Sequence, residues 1–234
     1  GFADSYPHIN FIDPETTLDD IYATYAIGFY FDKRCRQMHP VDPRKVPLAQ
    51  VASDILGLEY EEVKPALPAI NTDQTFSRPS VCFAMESTSG CKLWQREKGW
   101  QELINFLNDE GYQPVLIQRG EAQLENILNL SGDHPITERI AQLRQCEFFI
   151  GLGSGLSWLA WALGKKVVLV SGFSEPFAEF QDNCYRVINR DVCHGCWNDD
   201  AYIYDRGDWN WCPRHKGTPR QFECSKAITS GQVI

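Results

Sequence analysis

The stretch Phe148-Phe-Ile-Gly-Leu-Gly-Ser-Gly-Leu-Ser-Trp-Leu-Ala-Trp-Ala-Leu-Gly-Lys-Lys-Val-Val-Leu-Val-Ser171 decides the fold. An apolar run ends at Ile150, a Gly/Ser turn follows from Gly151 to Gly155, then comes a short apolar helix, a stop at Gly164 and a second apolar run, Val167 to Val170. The order is strand, loop, helix, strand. Because the turn has no bulky side chains, backbone N–H groups at the helix start can approach an anion, and the helix dipole adds partial positive charge there. The expected ligand is a diphosphate. Two plainer readings compete. Phe148 to Gly164 carries no charge, as a membrane span would, but it falls short of ~20 residues and is broken by glycine and serine. A glycine-rich turn with no ligand is the other, since a lone glycine motif is weak evidence.

Outward from this centre the same alternation continues. Val81 to Met85 reads as a buried strand, and the polar loop Glu86 to Lys92 follows it. Trp100, Leu103, Ile104 and Leu107 form the apolar stripe of a helix closed by Gly111; Pro114 to Ile117 is the next strand, and Ile136, Ile140 and Leu143 mark another helix. A short helix at Phe177 to Phe180 and a strand near Tyr185 to Ile188 complete the series. Strands alternating with helices predict a parallel α/β sheet with right-handed crossovers. Ligands of such sheets sit beyond the carboxyl ends of the strands. Three loops should therefore meet at one crevice. Ser87, Thr88 and Ser89 offer hydroxyls, Lys92 a point charge, Arg119 a phosphate partner and Glu121 an acceptor for a ribose hydroxyl; Gly153, Ser154, Gly155, Leu156 and Ser157 offer backbone donors flanked by hydroxyls. Taken singly, Ser87 to Ser89 read equally well as a helix cap and Lys92 as a solvated surface lysine.

Residues 1–79 are less regular. Thr17 to Asp20 suits a helix cap, Ala26 to Phe31 a strand, and Leu48, Val51, Ala52, Ile55 and Leu56 a helix ended by Gly57; Pro65 to Pro79 reads as a linker. The 234 residues suffice for one sizeable domain or two small ones, and the 43% hydrophobic content is that of a globular protein. A net charge of −9 argues against a nucleic-acid footprint, which would cluster Lys and Arg, and leaves room for a local basic pocket. With no basic-then-apolar leader, a cytoplasmic location is expected.

Residues 191–234 change character. Cys193-His194-Gly195-Cys196 is a knuckle, and Cys212 and Cys224 follow within reach. Four thiolates in a segment with little apolar core describe a closed tetrahedral site, with zinc the usual occupant and iron an alternative. A thioredoxin-like redox pair, two disulfides, and replacement of one thiolate by His194 or His215 are the competing readings. Of the nine cysteines, the other five (Cys35, Cys82, Cys91, Cys146 and Cys184) read as ordinary thiols, with Cys91 placed to line the crevice.

Gly153 to Pro176 resembles the nucleotide-sugar site of lipopolysaccharide heptosyltransferases. With Cys-His-Gly-Cys-Trp-Asn-Asp from Cys193, Cys-Pro at Cys212 and Phe-Glu-Cys-Ser at Phe222, together with Ala23-Thr24-Tyr25, Val41-Asp42-Pro43-Arg44 and Ile55-Leu56-Gly57, the chain resembles the bacterial autotransporter heptosyltransferases. That resemblance implies a GT-B fold, with residues 1–79 the remainder of the N-terminal half and a linker, 80–190 the nucleotide-sugar domain and 191–234 the metal finger. It implies inverting transfer of heptose from an ADP-sugar to serines of autotransporter adhesins, ferric iron on Cys193, Cys196, Cys212 and Cys224, and assembly into a large ring. Donor contacts would fall at Thr88, Lys92, Arg119 and Ser154 to Ser157. Two departures stand out. Gly153 and Trp158 occupy positions where the lipopolysaccharide enzymes carry Asp and His. The family's catalytic aspartate belongs to the N-terminal half, ahead of residue 1, so the base that must accept the serine proton is not identified; Asp32, Asp42 and Asp54 are candidates by type only. A non-catalytic assembly module and an iron redox carrier are the alternative functions.

Overall fold

The computed structural model describes residues 17, 19–25, 27, 41–70, 76–202 and 210–234. The expected strand at Ala26 to Phe31 lies outside them apart from Ile27, as do Asp32 and Cys35. Residues 19–25 form no helix.

Six parallel strands build one sheet: β1 (Ser80–Phe83), β2 (Gln113–Leu116), β3 (Leu128–Asn129), β4 (Phe148–Gly151), β5 (Lys166–Val170) and β6 (Cys184–Val187). Their spatial order is β3-β2-β1-β4-β5-β6. The helices are α1 (Gln50–Leu56), α2 (Gly99–Asp109), α3 (Ile136–Gln145), α4 (Gly155–Ala162), α5 (Glu223–Lys226) and α6 (Ser230–Val233). The order reverses between β1 and β4, so these two central strands diverge in their connections and leave a crevice at their carboxyl ends.

Side-chain alternation along each strand divides the interior into two layers. Cys82, Val115, Phe149, Val167 and Leu169 point to one face and pack with Ile140 and Leu143 of α3 and Ala160 and Trp161 of α4. Val81, Phe83, Leu116, Ile150 and Val170 point to the other, where Trp100, Leu103, Ile104 and Leu107 of α2 cover them. Both faces are buried, which is why these strands read as continuous apolar runs. Leu169 is fully buried. Leu169→Ala should cost about 3 kcal/mol through lost burial and the cavity left behind, read as a shift in the urea midpoint without a change in m-value.

The expected alternation is not complete. A two-residue strand, β3, joins the edge of the sheet with no helix between it and β2. It was invisible to pattern reading because two residues establish no period. Phe177 to Phe180 yields a single 3-10 turn at Pro176–Ala178. The segment read as a linker is packed along the domain: Leu67, Ile70 and Phe76 contact the first core layer, Arg144 donates to the Pro68 carbonyl at 3.0 Å, and Phe76 N–H donates to Gln145 Oε1 at 3.1 Å. Residues 41–49 lie on the cysteine-rich segment, where Arg44 donates to the Tyr202 carbonyl at 2.9 Å and Asn198 donates to the Arg44 carbonyl at 2.6 Å. No helix among the described residues is long and apolar enough to cross a membrane.

Candidate functional site

The loops after β1, β2 and β4 meet around an open crevice of about 870 Å³, within the size range of small-molecule sites. Glu86, Ser87, Thr88 and Lys92 come from the first loop, Gln118 and Arg119 from the second, and Gly153, Ser154, Gly155 and Leu156 from the third. Lys92 joins two of them directly, its Nζ donating to the Gly153 carbonyl at 3.1 Å. Burial holds the Lys92 pKa below the ordinary lysine value, opposed by Glu179 and reinforced by Arg186. One of its N–H donors serves Gly153; the remainder are available to an anion.

At the start of α4, Ser154 is extended (φ −139°, ψ 169°) and makes no side-chain cap. The first-turn N–H groups of Gly155 and Leu156, both in the crevice wall, therefore keep the exposed donors of an uncapped helix start. Ser157 is not in the wall. It is fully buried, and its Oγ donates to the Leu152 carbonyl at 2.5 Å, fixing the turn rather than facing the crevice. Glu121 is exposed and also stands outside the wall. Arg119 reaches the rim, where it pairs with Asp133 at 3.1 Å, both side chains largely solvated.

Several contributors are not singled out in the sequence, although Glu86 and Gln118 lie in the loops expected at the crevice. Gln118 accepts from Met85 N–H at 2.9 Å and donates to the Gly120 carbonyl at 2.9 Å, tying the first loop to the second. Glu86 accepts from Gly120 N–H at 3.0 Å. Beneath them the buried Arg139 donates to the carbonyls of Gln118, Leu130 and Gly132 at 2.7–2.9 Å; this guanidinium fork holds in place a loop that has no secondary structure of its own. Leu48 and Trp158, with Ala84, Leu93 and Ile136, complete the wall. Asp42 is occupied by Arg44 at 3.1 Å, and Asp54 sits on α1, so neither candidate base lines the crevice.

The cysteine segment docks at the end of β5. Gly195 N–H donates to the Gly172 carbonyl at 2.9 Å and Trp197 N–H to the Phe173 carbonyl at 3.0 Å. A Cβ on Gly172 would lie 2.7 Å from Cys224 Cβ and 2.8 Å from the Cys224 carbonyl oxygen. Gly172→Ala should thus push α5 off the sheet, costing about 1–3 kcal/mol by overpacking and lowering the melting temperature; an unchanged melt would show that the contact is slack. Cys196, Trp197, Cys212, Phe222 and Phe173 form a small apolar cluster that also takes in Cys91. Cys91 donates to the Trp211 carbonyl at 2.8 Å, so it belongs to this cluster and not to the crevice.

None of the eight described cysteines is in a disulfide. Burial, followed by the proximity of Cys193, Cys196, Cys212 and Cys91, pushes the Cys224 thiol up to about 12. Burial, then Glu223 and Cys196, pushes Cys193 up to about 12. Sulfurs that raise one another in this way can ionise together only beside a cation. The backbone adds a donor, His215 N–H to Cys212 Sγ at 3.3 Å. A second grouping overlaps the first: ligand atoms of Cys193, His215 and Glu223 lie within 4.8 Å of one another, and His215 Nε2 is buried without a hydrogen-bond partner.

A doubly wound parallel sheet with an open crevice at its reversal point defines an α/β protein of the class that takes ligands beyond its strand ends. The chain belongs to glycosyltransferase family 9, the heptosyltransferases, whose family model matches residues 45–178. It is 42% identical over 241 residues to the autotransporter heptosyltransferase BAHTCr of Citrobacter rodentium, covering 99% of this chain and 58% of that protein. It is 38% identical over 237 residues to the inactive autotransporter heptosyltransferase BimC of Burkholderia thailandensis, covering 97% of this chain and 56% of that protein. The crystal structure of the iron-containing dodecameric glycosyltransferase TibC from enterotoxigenic E. coli H10407 superposes with a TM-score of 0.90 at 41% identity, over 99% of this chain and 62% of TibC. TibC has also been solved in complex with ADP-D-beta-D-heptose. The chain thus spans about three-fifths of the length of the relatives it matches.

Proposed function

We propose that this chain is the donor-binding part of a protein heptosyltransferase, which moves heptose from ADP-heptose to serine hydroxyls of an autotransporter with inversion at the anomeric carbon. The observation that carries this reading is the meeting of three strand-end loops at one crevice, with Lys92 bonded to Gly153 between them. Lys92 and the α4 start would neutralise the charge that builds on the departing diphosphate. Thr88 and Ser87 would position it, and Arg119 would exchange Asp133 for a phosphate oxygen. Glu121 and Ser157 play no direct part in this reading, since Glu121 stands beyond the wall and Ser157 is sealed beneath it. Glu86 is the one carboxylate among the crevice-lining residues, and it is held by Gly120. Among the described residues no other carboxylate lines the crevice, and we assign the base for the acceptor hydroxyl to the N-terminal half that the resemblance to heptosyltransferases implies.

We propose a metal at the finger on the chemistry of its donor set, although the ligand atoms that lie within 4.8 Å of one another are those of Cys193, His215 and Glu223 and not four sulfurs. Cys193, Cys196, Cys212 and Cys224 would hold ferric iron, or zinc, as a structural ion that joins the tail to the sheet. The Cys193, His215 and Glu223 grouping favours a second arrangement, in which nitrogen or oxygen replaces a thiolate. Sulfur-only coordination by X-ray absorption supports the first; nitrogen or oxygen scattering supports the second. We place the protein in a reducing, cytoplasmic setting and expect it to assemble as a large ring; TibC is dodecameric.

A non-catalytic assembly module is the competing function, favoured by the similarity to inactive BimC. Incubation with ADP-heptose and an acceptor autotransporter separates the two once the N-terminal half is present: intact-mass gain of a heptose on the acceptor supports transfer, and donor binding without mass gain supports the module. No binding of any nucleotide diphosphate would remove the donor-site reading itself.

A further inference from the structure

Behind Lys92 a second, smaller cavity of about 120 Å³ opens, sharing Lys92 and Leu48 with the crevice. Its remaining walls are Phe173, Ser174, Ala178, Glu179 and Trp197. Glu179 is buried, and both of its carboxylate oxygens are held by polar partners. Arg186 donates to Oε2 at 2.6 Å, and Ser174 Oγ donates to Oε1 at 3.0 Å. Arg186 is pinned in turn to Ser174, to its carbonyl at 3.0 Å and its Oγ at 2.7 Å. A buried ion pair adds little stability over apolar packing of the same volume, so a carboxylate fixed this firmly in a cavity wall points to recognition. Oε1 faces the donor loop: a Cβ on Gly153 would meet it at 2.7 Å, and only the bare backbone of Gly153 allows the approach.

We propose that this cavity is the glycosyl subsite of the donor site and that Glu179 is the residue that reads the sugar's hydroxyl pattern. This rests on the crevice being the site of the nucleotide diphosphate. The large crevice suits the nucleotide, the small cavity suits one sugar ring, and Lys92 stands at the junction where the diphosphate joins them. The subsite is balanced in charge, with Glu179 against Arg186, as a neutral polyol requires. A carboxylate held by Arg186 and Ser174 retains lone pairs on Oε1 for sugar hydroxyls. Phe173 and Trp197, with ring centroids 6.1 Å apart, offer an apolar wall to the ring's C–H face. A site built to hydrogen-bond a hydroxyl rejects analogues that lack it, because its own buried groups are left unpaired.

The test is calorimetric titration of the chain and of two variants with ADP and with ADP-heptose. Glu179→Gln removes the acceptor charge, and Ala178→Val fills the cavity. ADP affinity reports an intact fold and diphosphate site. Each variant is expected to bind ADP within about twofold of the unaltered chain while losing at least tenfold of its preference for ADP-heptose over ADP. A folded variant with unchanged preference overturns the inference. If Glu179→Gln also loses ADP, Ala178→Val decides; loss of ADP by both variants assigns Glu179 a structural role and overturns it. Absence of binding by the unaltered chain would instead overturn the donor-site reading beneath it.

Discussion

Lys92→Ala should weaken ADP-heptose binding by about 10- to 100-fold and abolish the thermal shift the donor produces. A charge-assisted hydrogen bond contributes about 1.5–3 kcal/mol, and each 1.4 kcal/mol is a factor of ten. The half-buried ammonium sits between two of the crevice loops, with Gly153 taking one of its hydrogen bonds. Lys92→Arg should not restore binding, because the larger fork must displace the contact with the Gly153 carbonyl. The pH dependence has a definite sign. Burial depresses the Lys92 pKa, so the charged form is lost as pH rises through a value below that of an ordinary lysine. Donor affinity should therefore begin to decline below 10.5, at the lowered pKa of the free protein, and level off only above the higher pKa that the bound diphosphate gives the ammonium. An affinity flat across that range, or a Lys92→Ala variant with an unchanged dissociation constant, would remove Lys92 from the site.

Cys196→Ser should abolish stoichiometric metal binding and lower the melting temperature by on the order of 10 °C. Structural thiolate sites contribute on the order of 10 kcal/mol to the folding of isolated fingers. Here the finger also has apolar contacts through Phe173, Trp197 and Phe222, so a loss of about 3 kcal/mol is the more suitable figure, and 2–4 °C per kcal/mol applies at this chain length. Cys184→Ser, on β6 and away from the cluster, should leave metal content intact. Elemental analysis of both variants, beside a melting curve with and without chelator, distinguishes a metal-held tail from one held by packing alone. Equal metal content in the two variants would count against the thiolate site.

The two sites differ in how far they could be read from the chain. The order of β1, β2, β4 and β5 and the helices between them followed from apolar periodicity and glycine stops, since both are local properties of ten or so consecutive residues. The meeting of the three loops followed one step further, from the rule that ligands gather at strand carboxyl ends. Individual side chains were less legible. Ser157 and Glu121 have suitable chemistry, but one turns inward to Leu152 and the other stands clear of the wall. Gln118, Arg139 and Glu179 do their work through partners such as Gly132, Met85 and Gly153, and no spacing in the chain announces those pairs.

The sequence by itself determined that this is a parallel α/β protein with a phosphate-suited turn at Gly151 to Gly155 and clustered thiols at its end, because hydrophobic period, glycine placement and cysteine spacing act over a few residues. Only the tertiary structure decided that Glu179 stands against Gly153, that Cys91 joins the finger, and that Gly172 leaves room for Cys224 alone. Those contacts depend on how β4, β5 and the tail are stacked. Stacking is set by long-range packing of two buried faces, which no short stretch of sequence records.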